Sequence, residues 1–264
     1  MRTASYTAEE FEVTRDGLRL VGTKFVPAKP NGIPVIISHG FLGRRRDIAR
    51  YAKCLAVKGC TAYTFDFAGG SPLSESDGRL QDMSVLTERA DLMAVMDYVK
   101  RDPAVDYSKL VLMGYSQGGF VSALTAAARP EEVHKLALFS PALCIPDDAR
   151  SGQMMFFVFD PQNVPDTVSA MGGRLTIGRG LIETAQALDA MEAIAPYKGP
   201  VLIAHGTADH IVNVSYAQRA KAAYGDNAQL LLVEGADHGF KRFDRHVRTG
   251  RHLRVEINRA KAQS

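Results

Sequence analysis

The chain has 264 residues, 46% of them hydrophobic and 23% charged, with a formal net charge of +3. That length suits one large α/β domain or two small ones, with ample core either way. The mild charge argues against nucleic acid and membrane surfaces as partners, and no stretch approaches the ~18 apolar residues a bilayer span needs. Residues 1–10 contain no apolar run of the secretory-signal type, so a cytoplasmic location is expected. Cys54, Cys60 and Cys144 have no C-x-x-C spacing and are odd in number, so they read as reduced thiols.

In chain order, residues 11–13 and 18–26 flank Asp16-Gly17, a hairpin signal. Residues 33–38, 61–67, 110–113, 135–139, 200–204 and 230–233 read as buried strands. Residues 47–58, 86–100 and 215–224 carry helical periodicity, and in 86–100 the apolar stripe is Leu86, Ala90, Met93, Met96 and Val99. Such alternation implies a mostly parallel sheet covered by helices on both faces. Residues 241–261 are rich in Lys and Arg and read as the solvated face of a final helix.

Residues 146–182 break the rhythm. They are too long for an ordinary connection and carry the apolar run Met154-Met155-Phe156-Phe157-Val158-Phe159. They could form an extra hairpin packed on the core, or a cap whose underside lines a pocket. Their place after strand 135–139 favours the cap, because that strand ends at the sheet edge where the chemistry is expected. The expected organisation is a core of residues 1–145 and 183–264 with an inserted cap of residues 146–182. Asp148, Met155, Phe157 and Phe159 are its candidate substrate-binding residues.

Gly114-Tyr115-Ser116-Gln117-Gly118 lies between a buried strand and an alanine-rich helix, the setting of a nucleophile elbow. The turn is so tight that the serine is forced towards positive φ, which lifts its Oγ clear of the backbone. Serine needs a base, normally a histidine oriented by a carboxylate. Of seven histidines, His238 directly follows strand 230–233, and Asp209 directly follows strand 200–204. Both therefore sit at the edge that carries Ser116. The oxyanion formed in acyl transfer needs two N–H donors. Gln117 supplies one and the loop His39-Gly40-Phe41-Leu42-Gly43 the other, from Phe41 or failing that Leu42. His39, His205, His210 and Asp237 read as loop braces or surface groups. No metal-ligand spacing and no phosphate-binding loop occurs, so neither metal nor organic cofactor is expected. Arg44-Arg45-Arg46 read as a solvated charge run, or as cations that draw in an ester with an anionic leaving group.

The segments HGF (39–41), FDF (65–67), MSVLTE (83–88), GYSQGG (114–119), SPA (140–142), HGTAD (205–209) and EGADHGF (234–240) occur in order over most of the chain. In these the chain resembles the α/β-hydrolase superfamily, in the branch containing bacterial cinnamoyl (feruloyl) esterases. The resemblance implies an eight-stranded sheet with one antiparallel strand, a small cap after the sixth strand, and hydrolysis of carboxylic esters by Ser116, Asp209 and His238. It implies an oxyanion hole at the N–H groups of Phe41 and Gln117. Two features depart from that branch: Ala68 to Ser74 replace its usual glycine–histidine turn, and residues 146–196 contain no tyrosine. The expected function is a serine carboxylesterase acting on small acyl or aryl esters, hydroxycinnamoyl esters among them. A serine peptidase or amidase, an acyltransferase, or a receptor retaining a hydrolase pocket are the alternatives. The expected partner is a small-molecule ester, and a homodimer is left open.

Overall fold

The computed structural model describes residues 5–240, so the basic segment 241–261 lies outside the described residues. The chain opens with strands β1 (Tyr6–Arg15) and β2 (Leu18–Pro27). Asp16 and Gly17 both have positive φ between them, as a two-residue hairpin turn of this hand requires. There follow β3 (Pro34–Ser38), α1 (Arg45–Val57), β4 (Thr61–Phe65), α2 (Val85–Lys100), β5 (Val111–Tyr115), α3 (Gln117–Ala128) and β6 (Lys135–Phe139). An inserted segment then carries α4 (Ile145–Ser151), hairpin β7 (Gln153–Met154) and β8 (Phe157–Val158), hairpin β9 (Thr167–Ala170) and β10 (Leu175–Gly178), and α5 (Arg179–Gln186). Helix α6 (Ala190–Ile194), β11 (Val201–Gly206), α7 (Ser215–Tyr224) and β12 (Ala228–Val233) complete the core.

Eight strands form one sheet in the order β1-β2-β4-β3-β5-β6-β11-β12. Strand β2 runs antiparallel to both neighbours, and every other pairing from β4 to β12 is parallel. The alternation of side chains sorts the sheet into two cores. From β3, Val35 and Ile37 pack with Phe25, Ala62 and the α1 residues Ile48, Ala52 and Ala56. Ile36 points the other way and joins Leu112, Leu138, Phe120 from α3 and Leu92 and Met96 from α2. Each fully buried side chain of this size contributes about 1.5–3 kcal/mol.

Several expectations need correction. In α2 the buried stripe is Val85, Glu88, Leu92, Val95, Met96 and Val99, turned away from Leu86, Ala90 and Met93. The turn arises because two acids, Glu88 and Asp91, lie on the buried face and find partners there. The expected cap boundary at 182 falls inside α5, which packs on α4 and finishes the excursion six residues after Gly180. On β12, Leu231 and Leu232 are exposed, at the edge of the sheet. No helix among the described residues is long and apolar enough to cross a membrane.

Candidate active site

Parallel strands deliver their C-terminal ends to one edge of the sheet, and four of those ends build the site. At the end of β5, Ser116 has φ 54° and ψ −123°, a strained conformation costing on the order of 1–3 kcal/mol. Its backbone is clamped: Ser116 N–H donates to Phe139 O at 2.9 Å, and its carbonyl accepts from Ala142 N–H at 2.9 Å. Gly114 is required because a Cβ there would fall 2.3 Å from Gly118 O, where the strand turns into α3. Gly40 is required for a second close approach, since its Cβ would lie 2.9 Å from Ser116 Cβ.

Ser116 Oγ donates to His238 Nε2 at 3.0 Å, and His238 Nδ1–H donates to Asp209 Oδ2 at 2.7 Å. Asp209 Oδ1 accepts from the N–H groups of Ile211 and Val212, each at 2.9 Å. Burial alone would push the Asp209 carboxyl up. The hydrogen bonds from His205, His238 and Val212 N–H, with the His238 charge, overcome burial and hold it far below the usual carboxylate range. Tyr115 secures the loop that carries His238, its hydroxyl donating to His238 O at 3.0 Å and its ring lying 5.2 Å from the imidazole.

The loop after β3 folds over Ser116. Leu42 has φ 58° and spends its N–H on Gly70 O at 3.1 Å, which removes it as an oxyanion donor. Phe41 N–H and Gln117 N–H, the latter at the first residue of α3, carry no such bond among the described residues. His39 is buried and braces this loop: Nδ1–H donates to Gly40 O at 2.8 Å and Nε2 accepts from Phe67 N–H at 3.2 Å. Burial pushes its imidazole down, against the Gly40 hydrogen bond. His210 is exposed, as expected. His205 is not only a loop brace, because its ring touches Asp209.

Arg45 is fully buried, not solvated. Its guanidinium meets Asp66 at 2.9 Å, Glu10 at 2.7 Å and Glu75 at 2.9 Å, and its N–H donates to Asp66 Oδ1. Arg44 pairs with Asp47 and Arg46 with Glu75. The three arginines pin the start of α1 to the β1–β2 hairpin and the loop after β4, so all three charges already have acidic partners.

Ser116 opens into a cleft between the sheet edge and the inserted segment. Asp148, Met155 and Phe157 line it, with Phe41, whose ring meets Phe157 edge-on at 6.2 Å between centroids. Phe159 does not line it. The chain leaves β8 after Val158, and Phe159 N–H bonds back to Gly152 O, leaving the half-buried side chain packed against the core. Residues that the sequence reading missed are Ala142, Cys144, Ile145, Met154, Ile177, Leu181, Ile211 and Val212. Met154 belonged to the apolar run already singled out; Ile177 and Leu181 arrive from β10 and α5, whose place over Ser116 only the fold reveals. Asp148 is the acid in this apolar lining. Burial raises its carboxyl above the usual range, opposed by the Cys144 hydrogen bond and supported by the charge of Asp147.

Residues 29–167, just over half of the chain, match the family described as "Serine aminopeptidase, S33". The chain belongs to this family. Among solved structures, Est1E from Butyrivibrio proteoclasticus with ferulic acid bound is 28% identical to this hydrolase. The match covers 96% of each chain at a TM-score of 0.80. Mouse alpha/beta hydrolase domain-containing protein 10 shares the fold at 20% identity and a TM-score of 0.68, over 97% of this chain and 99% of that one. The rat mitochondrial palmitoyl-protein thioesterase ABHD10 is 26% identical over 189 residues, 67% of this chain and 58% of that protein. The hydrolase thus has the α/β-hydrolase fold that its motifs resemble, and its neighbours include esterases.

Proposed function

We propose that this hydrolase is a cytoplasmic, cofactor-free carboxylesterase that works through an acyl-enzyme on Ser116. The observation that carries the reading is the unbroken hydrogen-bond chain Ser116–His238–Asp209 opening directly into an apolar cleft. His238 takes the Ser116 proton as Oγ attacks the ester carbonyl, then gives it to the leaving alcohol, and activates water in the second half-reaction. Asp209 keeps Nδ1 protonated and stabilises the imidazolium. The N–H groups of Phe41 and Gln117 receive the oxyanion.

The cleft lining suits an apolar acyl or aryl group, with the inserted segment as its cap. Asp148 gives that group one hydrogen-bonding partner, and the hydroxyl of a phenolic acid fits it. The 28% identity to a structure with ferulic acid bound supports an aromatic acid, and the 26% identity to a palmitoyl-protein thioesterase supports an apolar acyl chain. The family description favours a second reading, an aminopeptidase, which needs a carboxylate to hold a substrate ammonium. Asp148 is the less suited to that because its burial works against the charged carboxylate.

A fluorophosphonate probe should label the wild type and fail on Ser116→Ala. Turnover is then compared across p-nitrophenyl esters and aminoacyl p-nitroanilides. Labelling that persists in the alanine variant, or anilides cleaved faster than esters, overturns the proposal.

A further inference from the structure

We propose that His205 is a positioning residue of the triad, holding the one oxygen of Asp209 that faces His238. His205 ends strand β11 and is fully buried. Its Nε2 lies 3.0 Å from Val212 O and 3.2 Å from Asp209 Oδ2. A backbone carbonyl can only accept, so Nε2 carries the hydrogen. That hydrogen is directed at the carbonyl, with Asp209 Oδ2 beside it at 3.2 Å from the nitrogen. Nδ1 is buried with no partner among the described residues, so it is the bare nitrogen; an N–H there would be an unsatisfied buried donor. The tautomer follows from these contacts alone.

The consequence lies in how the donors divide over Asp209. Oδ1 is held by two backbone N–H groups, whereas Oδ2 is held by two imidazoles, His238 at 2.7 Å and His205 at 3.2 Å. Backbone donors fix where the carboxylate sits. His205 fixes how Oδ2 is presented and draws off part of its negative charge. Without that donor, Oδ2 becomes a stronger acceptor for His238 alone. The other titratable groups around His238 are Tyr115 and its chain neighbour Asp237, both left in place by changes at 205.

This inference rests on the catalytic reading of Ser116, His238 and Asp209, and its test separates the two. His205→Phe keeps a ring and removes the donor; His205→Gln restores an amide N–H. In His205→Phe, kcat should fall about 10–100-fold with KM unchanged, the range of one hydrogen bond to a charged group. The acid limb of kcat/KM should move to higher pH, and His205→Gln should return both towards wild type. An unmoved acid limb, or a glutamine variant as impaired as the phenylalanine one, makes His205 a brace of the fold and overturns the inference. Nitrogen NMR of histidine-labelled wild-type protein tests the geometry with no variant and no substrate. It should find His205 as the Nε2–H tautomer; an Nδ1–H tautomer overturns the inference even if esterase activity is confirmed.

Discussion

Gln117 Nε2 donates to Glu88 Oε2 at 2.8 Å, tying the residue after Ser116 to a fully buried acid on α2. Burial pushes the Glu88 carboxyl up to about 8, against the Gln117 hydrogen bond and with help from the charge of Asp91. At neutral pH the folded protein therefore holds a proton there that the unfolded chain releases. The stabilisation is complete below the ordinary glutamate range and is lost as pH rises towards 8. Melting temperatures should fall from pH 5 to pH 8.5 in the wild type, and Glu88→Gln should flatten that slope. Calorimetry at stepped pH checks it; equal slopes in the two proteins would sink the assignment. Asp91 changes in the same sense, so the difference between the two proteins isolates Glu88.

Ser116 and His238 act as one unit if the acyl-enzyme reading holds. Ser116→Ala and His238→Ala should each lower kcat by about 10³–10⁶-fold, and the double variant should be little worse than either single one. Multiplicative losses in steady-state kinetics would mean that the two side chains contribute independently, against a shared proton transfer.

Arg45 tests whether its run of arginines serves structure or substrate. Removing it leaves Asp66 buried without its cation, and breaking a buried pair from one side costs about 3–5 kcal/mol. Arg45→Met should lower the midpoint of urea unfolding sharply. Arg46→Gln, at an exposed position, should leave the ratio of rates on anionic and neutral esters unchanged. A ratio that drops in Arg46→Gln would restore a role in drawing in charged substrates.

The strand ends were legible because strands buried on both faces, such as Val35-Ile36-Ile37, write unbroken apolar runs, and the residues of the site follow those runs directly. Glycines marked the sharp turns at 114 and 118 for the same reason: no other residue fits the approach. The face of α2 was misread because a hydrophobic pattern counts Glu88 and Asp91 as solvent-facing, and only tertiary partners make their burial tolerable. The burial of Arg45 was illegible likewise, since its three acidic partners come from residues 10, 66 and 75. Phe159 belongs to the same apolar run as Phe157, and only the end of β8 at Val158 separates the two. His205 and Asp209 were read separately, although four residues apart across a tight turn is the spacing that lets the ring reach the carboxylate.

Met155 offers the sharpest test of the cleft. It is the first residue of the two-residue turn between β7 and β8, where its φ is 53°, and it lines the cleft while 47% exposed. Turns of this kind favour asparagine or glycine, and a methionine in the left-handed region costs roughly 1–2 kcal/mol. A strained, exposed, apolar turn residue has no evident value to the fold; at the mouth of the cleft, on the proposed esterase reading, it supplies a greasy wall for the acyl group. Phe156 and Val158 beside it and Ile211 across the opening are exposed too, so the wall continues outward. Met155→Asn should therefore leave the melting temperature unchanged or raise it. The same variant should lower kcat/KM several-fold for long acyl esters while sparing acetate and butyrate esters. Destabilisation with equal slowing of every ester would make the turn a structural element and remove it from the binding site.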